Sequence, residues 1–180
     1  MQMMADQSSL LVVDVQERLA PVMHDPRKVI YGCATLLVAA VRLGLPMIVS
    51  EQYVKGLGPT MVDLREVAPA DVFMEKTMFS CAADAAMMER LRSFGRRQVV
   101  MAGIEAHVCV LQTALGLKQA GFEVFVVADA CSARRPESED LAFRRMVGSG
   151  VSVVNIEMVL FEWLAGKDHP AFKDVQRLIK

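Results

Sequence analysis

The sequence has no basic excess, no apolar run of membrane-spanning length and very little histidine. Lys and Arg number 20 against 21 Asp and Glu, for a net charge of −1. That balance leaves no basic face for nucleic acid and no basic tail for an anionic membrane, so neither partner is expected. No stretch approaches the roughly 20 consecutive apolar residues that span a bilayer. The three histidines, His24, His107 and His169, do not pair with each other or with a carboxylate at metal-ligand spacing, so no metal site is expected. No repeat, linker or low-complexity segment breaks the chain, and residues 1–180 read as one domain.

The four cysteines, Cys33, Cys81, Cys109 and Cys131, form no C-x-x-C. They read as free thiols of a reducing compartment. The stretch Met1 to Asp6 has no basic region, and its apolar run leads straight into an Asp, so it does not read as a signal peptide. A cytoplasmic location is the expectation.

What is abundant is apolar, 53% of the residues, and much of it falls in short β-branched runs. Ser9–Val15, Pro46–Ser50, Asp71–Lys76, Gln98–Ala102, Phe122–Asp129 and Val151–Val154 read as six strands. Helical patterns separate them. The first has Asp25 as N-cap, Pro26 at its first position and Gly44 at its end. Others run from about Ala83 to Phe94, from Cys109 towards Gly121, from Pro136 to about Ser149, through Met158, Phe161 and Leu164, and from Pro170 to Ile179. Glu51–Thr60 reads as the longest loop, and a loop of that length in a compact domain is often functional. Gly56-Leu57-Gly58 within it lacks the third glycine of a dinucleotide fingerprint. Alternating strands and helices predict an α/β fold, a doubly wound six-stranded parallel sheet with helices on both faces.

In such a sheet, ligands sit beyond the carboxyl ends of the strands. Asp14 closes the first run, Lys76 closes the third, and Cys109 follows the fourth, in the turn Gly103-Ile104-Glu105-Ala106-His107-Val108-Cys109. The topology allows all three into one crevice. A thiol near a helix start loses its proton more easily than elsewhere, and backbone N–H groups there can hold an oxyanion. Cys109 is therefore the candidate nucleophile, Asp14 the acceptor of its proton and Lys76 the charge that holds them. Tyr53 and Phe79, each just beyond a strand end, are candidate pocket walls. Gln16 and Asp129 are weaker candidates, as props of loops at the same edge. His107 reads as a hydrogen-bonding prop rather than a base.

Three motifs, Leu11-Val12-Val13-Asp14-Val15-Gln16, Lys76-Thr77-Met78-Phe79-Ser80 and Gly103-Ile104-Glu105-Ala106-His107-Val108-Cys109-Val110, together resemble the isochorismatase-like cysteine hydrolases. Their order and spacing agree over essentially the whole chain. The resemblance implies a Cys-Asp-Lys triad, here Cys109, Asp14 and Lys76. It implies a cis peptide at Ile104-Glu105, and an oxyanion hole made by the N–H groups of Glu105 and Cys109. The Asp-x-His metal site of the nicotinamidase branch is missing, because Ser50-Glu51-Gln52-Tyr53 stands there. True isochorismatases typically lack the nucleophilic Cys, so Cys109 speaks against isochorismate as substrate. Glu51-Gln52-Tyr53, Lys55 to Thr60 and Asp129-Ala130-Cys131-Ser132 look most like the isochorismatase domain-containing subgroup.

The expectation is a cysteine-dependent hydrolase of a small amide or related C–N bond, acting through a thioester, with no cofactor. A homo-oligomer is also expected, and in a binding or assembly protein without turnover Met158-Val159-Leu160-Phe161 would serve subunit contacts. Two other readings stay open: a binding protein that keeps the fold without turnover, and a thiol redox sensor.

Overall fold

The structure is a computed structural model and describes residues 1–179. The β-branched runs form six strands: β1 (Ser8–Val13), β2 (Met47–Gln52), β3 (Phe73–Lys76), β4 (Gln98–Gly103), β5 (Glu123–Cys131) and β6 (Ser152–Val154). All pair in parallel, in the spatial order β3-β2-β1-β4-β5-β6. The chain works outward from β1 to β3 on one side, then returns to β4 on the other. The topological switch point therefore falls at the carboxyl ends of β1 and β4.

Parallel neighbours need crossovers, and helices supply them. They are α1 (Pro26–Leu43), α2 (Val54–Leu57), α3 (Val62–Arg65), α4 (Ala85–Ser93), α5 (Leu111–Gln119), α6 (Pro136–Gly148), α7 (Ile156–Leu164) and α8 (Phe172–Gln176). The sheet is buried on both faces because side chains alternate along each strand. Leu10 and Val12 join Val100, α1 and α7 in one core, while Leu11 and Val13 join Val99, Met101, α4, α5 and α6 in the other. Helix α1 has the ends its sequence predicts: the Asp25 side chain accepts from the Lys28 N–H at 3.1 Å, and Gly44 closes it at φ +67°.

Several boundaries differ from the sequence reading, among them the end of β1, which comes at Val13 rather than Val15. Strand β2 continues to Gln52, and Val54–Leu57 forms a short helix, so the long loop is half ordered. Helix α4 starts at Ala85, because the Asp84 carboxylate caps it by accepting from the Met87 N–H. Strand β5 extends to Cys131 across an irregularity opposite Met101 and Gly103. The C-terminal helix divides into α8 and a 3₁₀ turn over Arg177–Ile179. Among the described residues, no helix is long and apolar enough to cross a membrane.

At the switch point β1 and β4 approach unusually closely. Gly103 has φ +123°, and a Cβ there would lie 2.2 Å from the Val13 carbonyl oxygen and 2.6 Å from its nitrogen. Only glycine fits both the conformation and the contact. Replacing Gly103 by Ala is expected to destabilise the fold by about 3 kcal/mol or more. Thermal denaturation should show this as a drop of roughly 6 to 12 °C in Tm. An unchanged Tm would mean that the two strand ends separate freely.

Candidate active site

Asp14 is the first residue past β1, and it turns the chain out of the sheet with φ +53°. Asp tolerates this left-handed region better than most residues. Its N–H still donates to the Ser50 carbonyl at 3.1 Å, which anchors it to β2. Its carboxylate is fully buried and holds two close partners. The Lys76 ammonium donates to Oδ2 at 2.7 Å, and the Ser50 hydroxyl donates to Oδ1 at 2.7 Å. Both side chains of the ion pair have 0% exposure.

Lys76 is the last residue of β3 and donates again to the Gln52 Oε1 at 2.7 Å. The Gln52 amide group then donates to the Thr77 carbonyl at 2.8 Å, which fixes which way round it sits. Gln16 continues the chain of contacts. Its side-chain amide receives the Gln52 N–H at 2.7 Å and donates to the Gln52 carbonyl at 3.0 Å and to the Gly58 carbonyl at 2.6 Å. It thus behaves as a peptide group, pairing with β2 where β1 has already left.

Cys109 lies 5% exposed in a π turn, Ala106–Val110, that precedes α5. Its thiol sits close enough to the Asp14 carboxylate for each to shift the other's titration. The sequence reading placed the thiol where ionisation is easy, and the structure corrects this. Burial pushes the Cys109 thiol well up, the Asp14 charge adds to the rise, and the Lys76 ammonium only partly opposes it. Asp14 is raised too, by burial, against the pull of Lys76 and Ser50. Cys81 also belongs to this cluster. Its thiol contacts the Ser50 and Thr113 side chains, and burial pushes it up to about 11. Nothing in the spacing of the sequence pointed to Cys81.

The Ile104–Glu105 peptide is cis. The neighbouring N–H groups are occupied: Ile104 donates to the Val13 carbonyl at 2.8 Å, Ala106 to Ser132 at 2.8 Å, and Val108 and Val110 to Glu105. Among the described residues the Glu105 N–H has no such partner. The Glu105 carboxylate meets Arg134 through two bonds, of 2.8 and 3.1 Å. His107 Nε2 stands 3.9 Å from the same carboxylate, beyond hydrogen-bonding range.

The remaining candidates separate. Gln16 is fully buried and its amide is occupied by the loop, so it is a strut rather than a free wall. Tyr53 and Phe79 stand beyond the tips of β2 and β3, 54% and 56% exposed, and Met78 beside Phe79 is 51% exposed. Asp129 is in the fifth strand, as the sequence predicts. Its carboxylate accepts from the Ile156 N–H at 2.9 Å, which ties it to α7. Among the described residues, no group of three His, Cys, Asp or Glu is arranged to hold a metal ion.

Comparison with known proteins places the fold. The isochorismatase domain model matches residues 8–158. Isochorismatase domain-containing protein 1 of Danio rerio is 40% identical over 167 residues, covering 93% of this chain but only 59% of that protein. Isochorismatase domain-containing protein 2 of the same fish is 38% identical, covering 96% of this chain and 86% of its own. The solved structure described as MAR1 ribonuclease from Caenorhabditis elegans superposes with a TM-score of 0.94 at 37% identity, over 99% of this chain and 92% of that one. The chain belongs to the isochorismatase family, with that family's hydrolase fold.

Proposed function

We propose that the chain is a cysteine hydrolase of a small amide or related C–N bond. The observation that carries this reading is the fully buried ion pair of Asp14 and Lys76 beside the Cys109 thiol, assembled from three strand tips. The Cys109 sulfur attacks the carbonyl carbon as its proton passes to Asp14. The N–H groups of Glu105 and Cys109 receive the oxyanion. Collapse of the tetrahedral intermediate breaks the C–N bond, and Asp14 returns the proton to the leaving nitrogen. Water then attacks the thioester carbon and gives a proton to Asp14, the C–S bond breaks to release the acid, and Asp14 returns that proton to the sulfur. Lys76 keeps its charge throughout and holds the carboxylate in line. No cofactor enters any step.

The raised proton affinities of Cys109 and Asp14 fit these roles. A thiol protonated at rest needs a base, and a buried carboxylate is a stronger base than an exposed one. They fit a redox sensor poorly, because oxidation favours an exposed thiolate. Tyr53 and Phe79 are the proposed rim of the substrate site. Met158 and Phe161, 50% and 44% exposed on α7, are proposed contacts of a homo-oligomer. RNA cleavage, which the nematode relative's description gives to that protein, would call for a cationic face. Here both site cations, Lys76 and Arg134, are paired with carboxylates.

A panel of small amides assayed for ammonia or amine release, with an RNA oligonucleotide alongside, tests the reading. Turnover of at least one amide is expected, abolished in Cys109→Ala and lowered about a thousandfold in Asp14→Asn. Turnover that survives Cys109→Ala would sink the covalent route. A second measurement follows from the thiol's raised affinity for its proton. The iodoacetamide alkylation rate of Cys109 is expected to climb about tenfold per pH unit, with no plateau by pH 9, the ordinary thiol value. A plateau near neutrality would show a pre-formed thiolate instead.

A further inference from the structure

The Glu105 side chain sits awkwardly for its position. Its own N–H is one of the two proposed oxyanion donors, yet its side chain is a carboxylate that is only 10% exposed. A fixed negative charge so near the place where an oxyanion forms opposes that oxyanion, the more so where water is scarce. Arg134 answers this. It projects from the segment after β5, and its guanidinium closes on the carboxylate as a fork, Nε to Oε2 at 2.8 Å and Nη2 to Oε1 at 3.1 Å. The same segment also supplies the Ser132 carbonyl that receives the Ala106 N–H at 2.8 Å. Backbone and side chain on one side of Glu105 are therefore tied to residues 132–134, while Ile104 on the other side is tied to Val13. Arg134 is 60% exposed, so packing of the core does not account for it.

Resting on the reading of Cys109 as the acylated nucleophile, we propose that Arg134 is a positioning residue of the oxyanion site. Its guanidinium holds the Glu105 carboxylate aside and cancels its charge, so that the Glu105 N–H faces the oxyanion unopposed. Lysine cannot substitute, because an ammonium does not match both carboxylate oxygens in one plane.

Two reactions of the same sulfur test this. Acylation of Cys109 by p-nitrophenyl acetate passes through an oxyanion and releases p-nitrophenolate. Alkylation by iodoacetamide displaces iodide and forms no oxyanion. Arg134→Ala is expected to slow acylation about tenfold or more while alkylation stays within about twofold. Adding Glu105→Gln to Arg134→Ala removes the unpaired charge and is expected to recover most of the lost rate, a non-additive pair. Guanidinium chloride at low concentration should also restore Arg134→Ala, and Arg134→Lys should remain slow. The proposal is overturned if acylation in Arg134→Ala matches wild type, if both reactions slow together, or if the double variant is as slow as Arg134→Ala. Failure of the underlying reading looks different: Cys109→Ala would then release p-nitrophenolate at the wild-type rate.

Discussion

The structure is organised by a buried ion pair, Asp14 to Lys76, at 2.7 Å with neither side chain exposed. Taking both charges out of water costs several kcal/mol per ion, and their attraction returns little more than that. Such a pair is weak as a stabilising device. Removing either partner is another matter, because the survivor is left charged and unpaired at a cost of about 3 to 5 kcal/mol. The fold accordingly surrounds the pair with further partners, Ser50 on the carboxylate and Gln52 on the ammonium. A pair that adds so little stability, held so firmly beside a thiol, makes more sense as chemistry than as architecture.

Holding it depends on where each strand ends. Strand β1 stops at Val13 and the chain turns out at Asp14, so the carboxylate leans over the tip of the sheet. Strand β2 runs on to Gln52 and β3 to Lys76, with those two residues in register. The early departure of β1 would leave the end of β2 without a hydrogen-bonding neighbour on that edge, its other edge being paired with β3. The Gln16 side chain fills that gap by presenting an amide to the Gln52 backbone. On the other side, Gly103 lets β4 crowd against Val13 and delivers the Cys109 turn to the same tip.

Much of this was legible in the sequence. Asp25-Pro26 and Gly44 fixed both ends of α1, and the β-branched runs located every strand, because helix caps and strand burial are local signals. The runs themselves put Asp14 and Lys76 at strand ends and Cys109 after the fourth strand, and the doubly wound topology allowed all three into one crevice. What escaped is what depends on long-range contact. Val54–Leu57 reads as loop because Gly56 and Gly58 disfavour a helix, yet Gln16 and Glu51 bind the segment at Gly58 and Thr60. The strut role of Gln16, the place of Cys81 near Cys109 and the Glu105–Arg134 pair join residues far apart in the chain. No periodicity announces such contacts.

The direction of the thiol's shift was misread for a similar reason. A helix start lowers a thiol's proton affinity only where water is near and no anion adjoins it. Cys109 has neither condition: it is buried, and Asp14 stands beside it. That reversal changes what the three residues must do together. A pre-ionised thiolate would need only an oxyanion hole, and Asp14 would be an obstacle to its charge. Burial instead raises the proton affinity of both groups. In the mechanism we propose, bond formation at sulfur and proton transfer to oxygen proceed together, so that no bare thiolate is exposed to oxidants between turnovers. In that proposal Lys76, bonded to the Asp14 carboxylate at 2.7 Å, supplies the fixed positive charge that holds it in line.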